Sequence, residues 1–184
     1  WSAMAIPPEL LGTHVGPTHG HQTYRTADIS FRVCNALFGH SGIEWNILEA
    51  TDHELNVLRR FINFYKANRT LLHSGDIFRS DVVDGDAYLY GTIAKDKSRA
   101  IYTYMQLQTF DTYRPKTAQL KGLYKDRNYR IKVVQGISSG DFIQRSNPGW
   151  WPEITVNGGL LATIGIEVPV LRPEQGLIFE VELL

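Results

Sequence analysis

Apolar positions recur at mixed and helical spacing up to about residue 75, and mostly at every second residue beyond it. A short apolar run, Leu10 to Val15, leads into a loop dense in Gly, Pro, Thr and His. Ile29, Val33, Ala36 and Leu37 then share one face of a helix over Thr26 to Leu37, with Thr26 as N-cap and Asp28 favourable in its first turn. A second apolar run, Ile43 to Leu48, is entered through Gly39 and Gly42. Strand, loop, helix, strand at this spacing predicts a βαβ unit, because parallel strands need a crossover connection. Such a unit is too small to be a domain, and each strand calls for a neighbour on its free side. Thr51-x-x-Glu54 is a capping box opening a long helix with Leu55, Leu58, Phe61, Ile62 and Tyr65 as its apolar stripe. That helix runs to about Leu72, and Gly75 stands where a left-handed C-terminal cap belongs.

From Asp76 onward the pattern predicts short strands: Ile77 to Val83, Ala87 to Ala94, Arg99 to Gln108, Asn128 to Val134, Leu160 to Ile166 and Leu177 to Leu183. Asp84-Gly85-Asp86 and Ala94 to Ser98 read as turns between them. Many short strands with Gly and Pro punctuation indicate an antiparallel sandwich. The boundary between the two regimes falls near residue 75.

Composition adds limits. With 184 residues, 43% hydrophobic, 21% charged and no net charge, the chain is an ordinary globular one with no electrostatic case for nucleic acid or a membrane surface. One cysteine excludes an internal disulfide and fits a reducing compartment, hence a cytoplasmic location. The chain opens at Trp1 without an initiator Met, so an N-terminal portion is removed or the sequence is a piece of something longer. Trp1 to Ile6 reads as the last turn of a preceding helix, stopped by Pro7-Pro8.

Several motifs occur together near the start: Pro7-Pro8-Glu9, Gly12-x-His14-Val15, Arg25, Phe38-Gly39-His40-x-Gly42-Ile43-Glu44-Trp45, and then Leu71 to Asp76, "LLHSGD". In this order they resemble the late part of the α-galactosidases of glycoside hydrolase family thirty-six, and the likeness extends more loosely to the C-terminus. The resemblance implies α/β plus all-β architecture: the last two βα units of a (β/α)8 barrel over residues 1–75, then a C-terminal antiparallel β-sandwich over residues 76–184. It also implies hydrolysis of terminal α-galactosides with retention and no cofactor, the catalytic Asp pair lying upstream of Trp1. Two positions depart from the family pattern. Asn46 stands where such enzymes usually have Asp, and Tyr24 precedes Arg25 where Gly is common, which alters the loop's backbone freedom.

Retaining glycosidases need two carboxyl groups about 5 to 5.5 Å apart. Ser80-Asp81-Val82-Val83-Asp84 copies the acid/base pattern superficially but follows the last barrel helix, and Glu44 has no evident partner carboxylate. No catalytic residue is therefore expected in this chain, which alone should be inert. His14, Arg25 and Trp45 are the candidates for lining or bracing the barrel rim, with Arg25 pairing to Glu9 or Glu44 if it is an anchor. His14, His19 and His21, with His40, raise zinc; His14 buried at a strand end with His19 and His21 on the surface is the plainer reading, and no metal is expected. Trp150-Trp151 either stacks on sugar or plugs the sheet edge. Arg114 to Lys132 is basic, but Tyr129, Ile131 and Val133 alternate with Asn128, Arg130 and Lys132, as in a half-buried strand. Cys34 reads as a buried hydrophobe, and Asn68-Arg69-Thr70 as a sequon of no consequence. The partners implied are α-galactoside oligosaccharides in the full-length enzyme, and either a homo-oligomer or the rest of its own barrel. The competing readings are a non-catalytic carbohydrate-binding or scaffolding module and a metal-dependent hydrolase using the His-rich loop.

Overall fold

The computed structural model describes residues 5–80, 86–112, 117–144 and 146–184. The Trp1-to-Ile6 helix end, Asp84-Gly85-Asp86, the Ser80-to-Asp84 pattern and the start of the basic segment lie wholly or partly outside them. Pro8–Leu10 forms a single 3-10 turn, and β1 follows at Gly12–Val15. Helix α1 spans Ile29–Ala36 and β2 His40–Ile43. The two strands pair in parallel, Gly12 with His40 through Val15 with Ile43, so the βαβ unit is present.

Its details differ from the pattern reading. Asp28, not Thr26, caps α1, accepting the Ser30 N–H at 2.8 Å, while Thr26 Oγ1 bonds His19 Nδ1 at 2.9 Å. The second strand comes before the apolar run, and Ile47–Glu49 is a 3-10 turn. The glycines explain the shift. A Cβ at Gly39 would lie 2.6 Å from Leu11 O, and one at Gly42 3.0 Å from the His14 ring, so Gly42 sits inside the ladder and Gly39 packs against the opposite strand just before its first rung.

Helix α2 spans Asp52–Ser74 with both bonds of its Thr51/Glu54 capping box formed. Glu54, Val57, Leu58, Phe61, Tyr65, Asn68 and Leu72 are its buried positions. Gly75 ends the helix in an extended conformation instead of a left-handed one. Close approach demands it: a Cβ there would meet Thr92 Cγ2 at 2.4 Å and Ile93 O at 2.6 Å. Asn68 of the sequon is 5% exposed, with its amide donating to Phe64 O and accepting from Arg99.

The remaining strands are β3 (Asp76–Ser80), β4 (Ala87–Ile93), β5 (Arg99–Gln106), β6 (Asn128–Val133), β7 (Glu153–Asn157) and β8 (Gln175–Leu183). They form one antiparallel sheet in the order β3-β4-β5-β8-β6-β7. A sandwich requires two facing sheets; among the described residues these six strands make one. Loop residues such as Leu120, Leu123, Val168 and Leu171 cover its far face, together with Leu161 of the short helix α3 (Gly158–Thr163). Leu160 to Ile166 is thus largely helix, not strand. Asn157 caps it by accepting the Gly159 N–H at 2.9 Å, and short apolar runs do not by themselves distinguish helix from strand.

Tyr102, Tyr104, Tyr129, Ile131 and Phe179 point into that far-face core. The opposite face of β5 and β8, through Ile101, Met105 and Ile178, packs on α1 and α2 in a second cluster with Val33, Leu37, Leu58 and Phe61. Buried on both faces, β5 loses the alternation a half-exposed strand shows. Helix α1 crosses β8 closely at Gly176, where a Cβ would lie 2.7 Å from Cys34 Sγ. Burial pushes the Cys34 thiol up from its ordinary value, with Asp28 adding to the shift, so it behaves as a hydrophobe.

Candidate functional site

Alternation along β1 sends Thr13 and Val15 toward the helices: Thr13 Oγ1 donates to Ala36 O at 2.7 Å and Val15 is fully buried. Gly12 and His14 therefore face the other way, with Gly42 directly opposite His14. That second face has no covering layer among the described residues. His14 is half exposed, not buried, and its Nδ1 lies 3.3 Å from the Glu44 carboxylate just beyond β2.

Behind the C-terminal ends of both strands lies a buried ion pair. Arg32 of α1 and Glu54 of α2 are 8% and 7% exposed and bonded to each other. Arg32 Nη1 also donates to Gly16 O at 2.8 Å, and its guanidinium sits 4.9 Å from the centre of the Trp45 ring. Glu54 takes Thr18 Oγ1 at 2.6 Å on one oxygen and the Thr51 N–H at 2.9 Å on the other. Burial alone would raise this carboxyl; hydrogen bonds from Thr18, the Thr51 backbone, Arg32 and the Thr51 hydroxyl outweigh it and hold it down at about 2. The loop after β1, the loop after β2 and both helix starts are thus fixed to one another.

His14 and Arg25 line a common open cavity of about 280 Å³ with Arg32, Phe31 and Glu174. Trp45 is not part of it and joins only through Arg32. Arg25 pairs with Glu174, the residue just before β8, replacing the Glu9 or Glu44 expected from sequence. The histidines do not converge. His14 is on Glu44, His19 on Thr26, and His40 packs edgewise on His73 with ring centres 5.0 Å apart. No cluster of three or more His, Cys, Asp or Glu suited to a metal ion occurs among the described residues. Glu44, Glu54 and Glu174 each face a basic side chain, which is a bracing arrangement rather than two opposed carboxyls across a glycosidic bond.

Outside this region, Trp150 donates its Nε1–H to Glu167 O at 2.8 Å and packs with Trp151 and Phe179, while Trp151 packs edgewise on Phe142. The pair is spent on the far-face core. On β6, Tyr129, Ile131 and Val133 are fully buried and Arg130 pairs with Glu182, so the basic strand is a solvated outer face. No helix among the described residues is long and apolar enough to cross a membrane.

The family model described as Melibiase matches residues 1–75, and that of the glycosyl hydrolase family 36 C-terminal domain matches residues 87–178. The chain belongs to glycosyl hydrolase family 36. An α-galactosidase from Escherichia coli is 34% identical to this family 36 chain over 183 residues, covering 96% of it and 26% of the relative. The solved α-galactosidase of Lactobacillus brevis superposes with a TM-score of 0.77 at 25% identity, over 97% of this chain and 23% of that one. A variant of the family 36 α-galactosidase AgaA from Geobacillus stearothermophilus, solved in complex with raffinose, gives a TM-score of 0.76 at 20% identity, over 97% and 22% of the two chains. This chain therefore spans about a quarter of the length of such relatives.

Sequence reasoning missed Arg32 and the second role of Glu54. The signal available was thin: an Arg on the helix that crosses between two predicted parallel strands, and an acid at the start of the next helix.

Proposed function

We propose that this chain is the C-terminal portion of a retaining α-galactosidase that hydrolyses terminal α-galactosides. Residues 1–75 supply the last two βα units of a (β/α)8 barrel, residues 76–184 its C-terminal β domain, and the catalytic Asp pair belongs to the part of the barrel before them. The observation that carries this reading is the parallel β1–β2 ladder, covered by α1 and α2 on one face and bare on the other. Barrel staves have that construction, with helices outside and a shared interior within. Two clefts that meet at Asn35 run along the β1 side of α1, one of about 250 Å³ between Leu11, Phe38 and Tyr90, the other beside His14 and Arg25. They are where a preceding βα unit would pack.

In the assembled enzyme His14 and Glu44 face the barrel interior, and Arg25 and Trp45 brace the rim at the C-terminal ends of the strands, where barrel chemistry resides. A free, buried Cys34 fits the reducing cytoplasm. Unpaired strand edges also favour association, with the rest of the barrel or between copies. The test is turnover of nitrophenyl α-galactoside by this chain alone and by the whole enzyme. Turnover by the whole enzyme only is expected; hydrolysis by the isolated chain would refute the division of labour.

A further inference from the structure

The loop from Gly16 to Asp28 leaves the C-terminal end of β1. It is stiff within itself. Gly20 N–H donates to Arg25 O at 2.9 Å, Tyr24 N–H to Gly20 O at 2.8 Å, and Ala27 N–H to Thr18 O at 3.1 Å. Its base is held to α2 by the Thr18–Glu54 bond. Its tip has a different anchor. Arg25 reaches Glu174, the residue immediately before β8, and Glu174 O accepts the Asp28 N–H at 3.0 Å. The Glu174 N–H donates to Gln106 O at 2.9 Å at the end of β5, so the anchor is part of the six-stranded sheet.

The backbone on both sides of this contact is unusual. Tyr24 has φ 55° and Glu174 φ 63°, two of the three non-glycine residues with positive φ among those described. Glycine would relax either position, yet at 174 it would delete the carboxylate that meets Arg25. Side chains kept on left-handed backbone by surrounding contacts point to a local requirement. The Glu174 side chain is 15% exposed and Arg25 59%, so the carboxylate is the fixed member of the pair.

We infer that Glu174 is a positioning residue: through Arg25, the C-terminal sheet clamps the loop after β1 at the barrel mouth and sets how tightly α-galactoside is held there. This rests on β1 and β2 being staves of the barrel, as proposed above. Loss of the clamp lets the loop sample open states, which lowers affinity without touching the reacting groups.

The full-length enzyme is compared with E174Q, R25Q and the charge-exchanged R25E/E174R. Amide hydrogen exchange of residues 17–27 and separate kcat and KM for nitrophenyl α-galactoside are the readouts. R25Q removes the same contact from its exposed side and serves if E174Q folds poorly. Either single variant should speed loop exchange about tenfold and raise KM about three- to tenfold, with kcat within about twofold. The exchanged pair should recover most of both effects. Unchanged exchange in the single variants overturns the clamp. Faster exchange with unchanged KM overturns its link to substrate. A full-length protein without galactosidase activity overturns the barrel reading and the substrate half of this inference, while the exchange data still decide the clamp.

Discussion

Arg32 and Glu54 place opposite charges where either, left alone, would be a buried and uncompensated charge. Replacing Glu54 with Gln leaves the guanidinium buried and unpaired, and should cost about 3–5 kcal/mol, read from the urea unfolding midpoint. Replacing both with apolar residues of similar volume should cost far less, because the desolvation penalty disappears with the charges. The same carboxyl makes stability pH-dependent. Its folded value of about 2 lies below its ordinary 4.5, so the unfolded chain binds the proton first. Its contribution is complete above about 4.5 and is lost as pH falls toward 2; unfolding followed from pH 6 to 2 should show this loss, and E54Q should flatten that part of the profile. Thr51-x-x-Glu54 was legible as a helix start because a capping box is local. The Arg32 bond was not, since its partner stands 22 positions away, and Arg25 with Glu174 is separated by 149. A sequence offers many acids at such distances and no means of choosing among them.

Close contacts between elements rest on glycines. At Gly176 a methyl group would press on Cys34 Sγ at 2.7 Å and Ser30 O at 3.0 Å, forcing α1 off the sheet. G176A should destabilise by about 1–3 kcal/mol. The double variant G176A/C34A should recover part of that loss, and equal stability of the single and double variants would deny that Cys34 is the obstacle. Cys34 itself, fully buried with its thiol pushed up, should resist alkylation at pH 8 in the native state and react once the chain is unfolded. Element types before residue 75 were readable because caps and helical spacing are strong local signals. The second strand was misplaced because Gly39 and Gly42 look like punctuation, and only the neighbouring strand, with Leu11 O beside Gly39 and the His14 ring beside Gly42, shows how little room a side chain would have. Helix α3 was misread for another reason: Leu160 to Ile166 is a short apolar run, and such a run does not by itself distinguish helix from strand.

At the scale of the molecule, two hydrophobic clusters lie on opposite faces of one sheet, and the helices of the opening segment share the second with Ile101, Met105 and Ile178. The opening segment is therefore tied to the sheet by a continuous core as well as by Arg25 and Glu174. Period-two patterning made the antiparallel strands legible, but not their order. β5 pairs with β8 across the length of two intervening strands, and a loop-built second layer leaves no periodic trace. The bare face of β1 and β2 is the feature that most needs the remainder of an enzyme. The direct test is a crystal structure of the full-length protein, read at the outer edge of Gly12–Val15. A further parallel strand should be hydrogen-bonded there on the side away from β2, with His14 and Glu44 turned into the enclosed interior. An edge left in solvent, or paired antiparallel, would contradict the account.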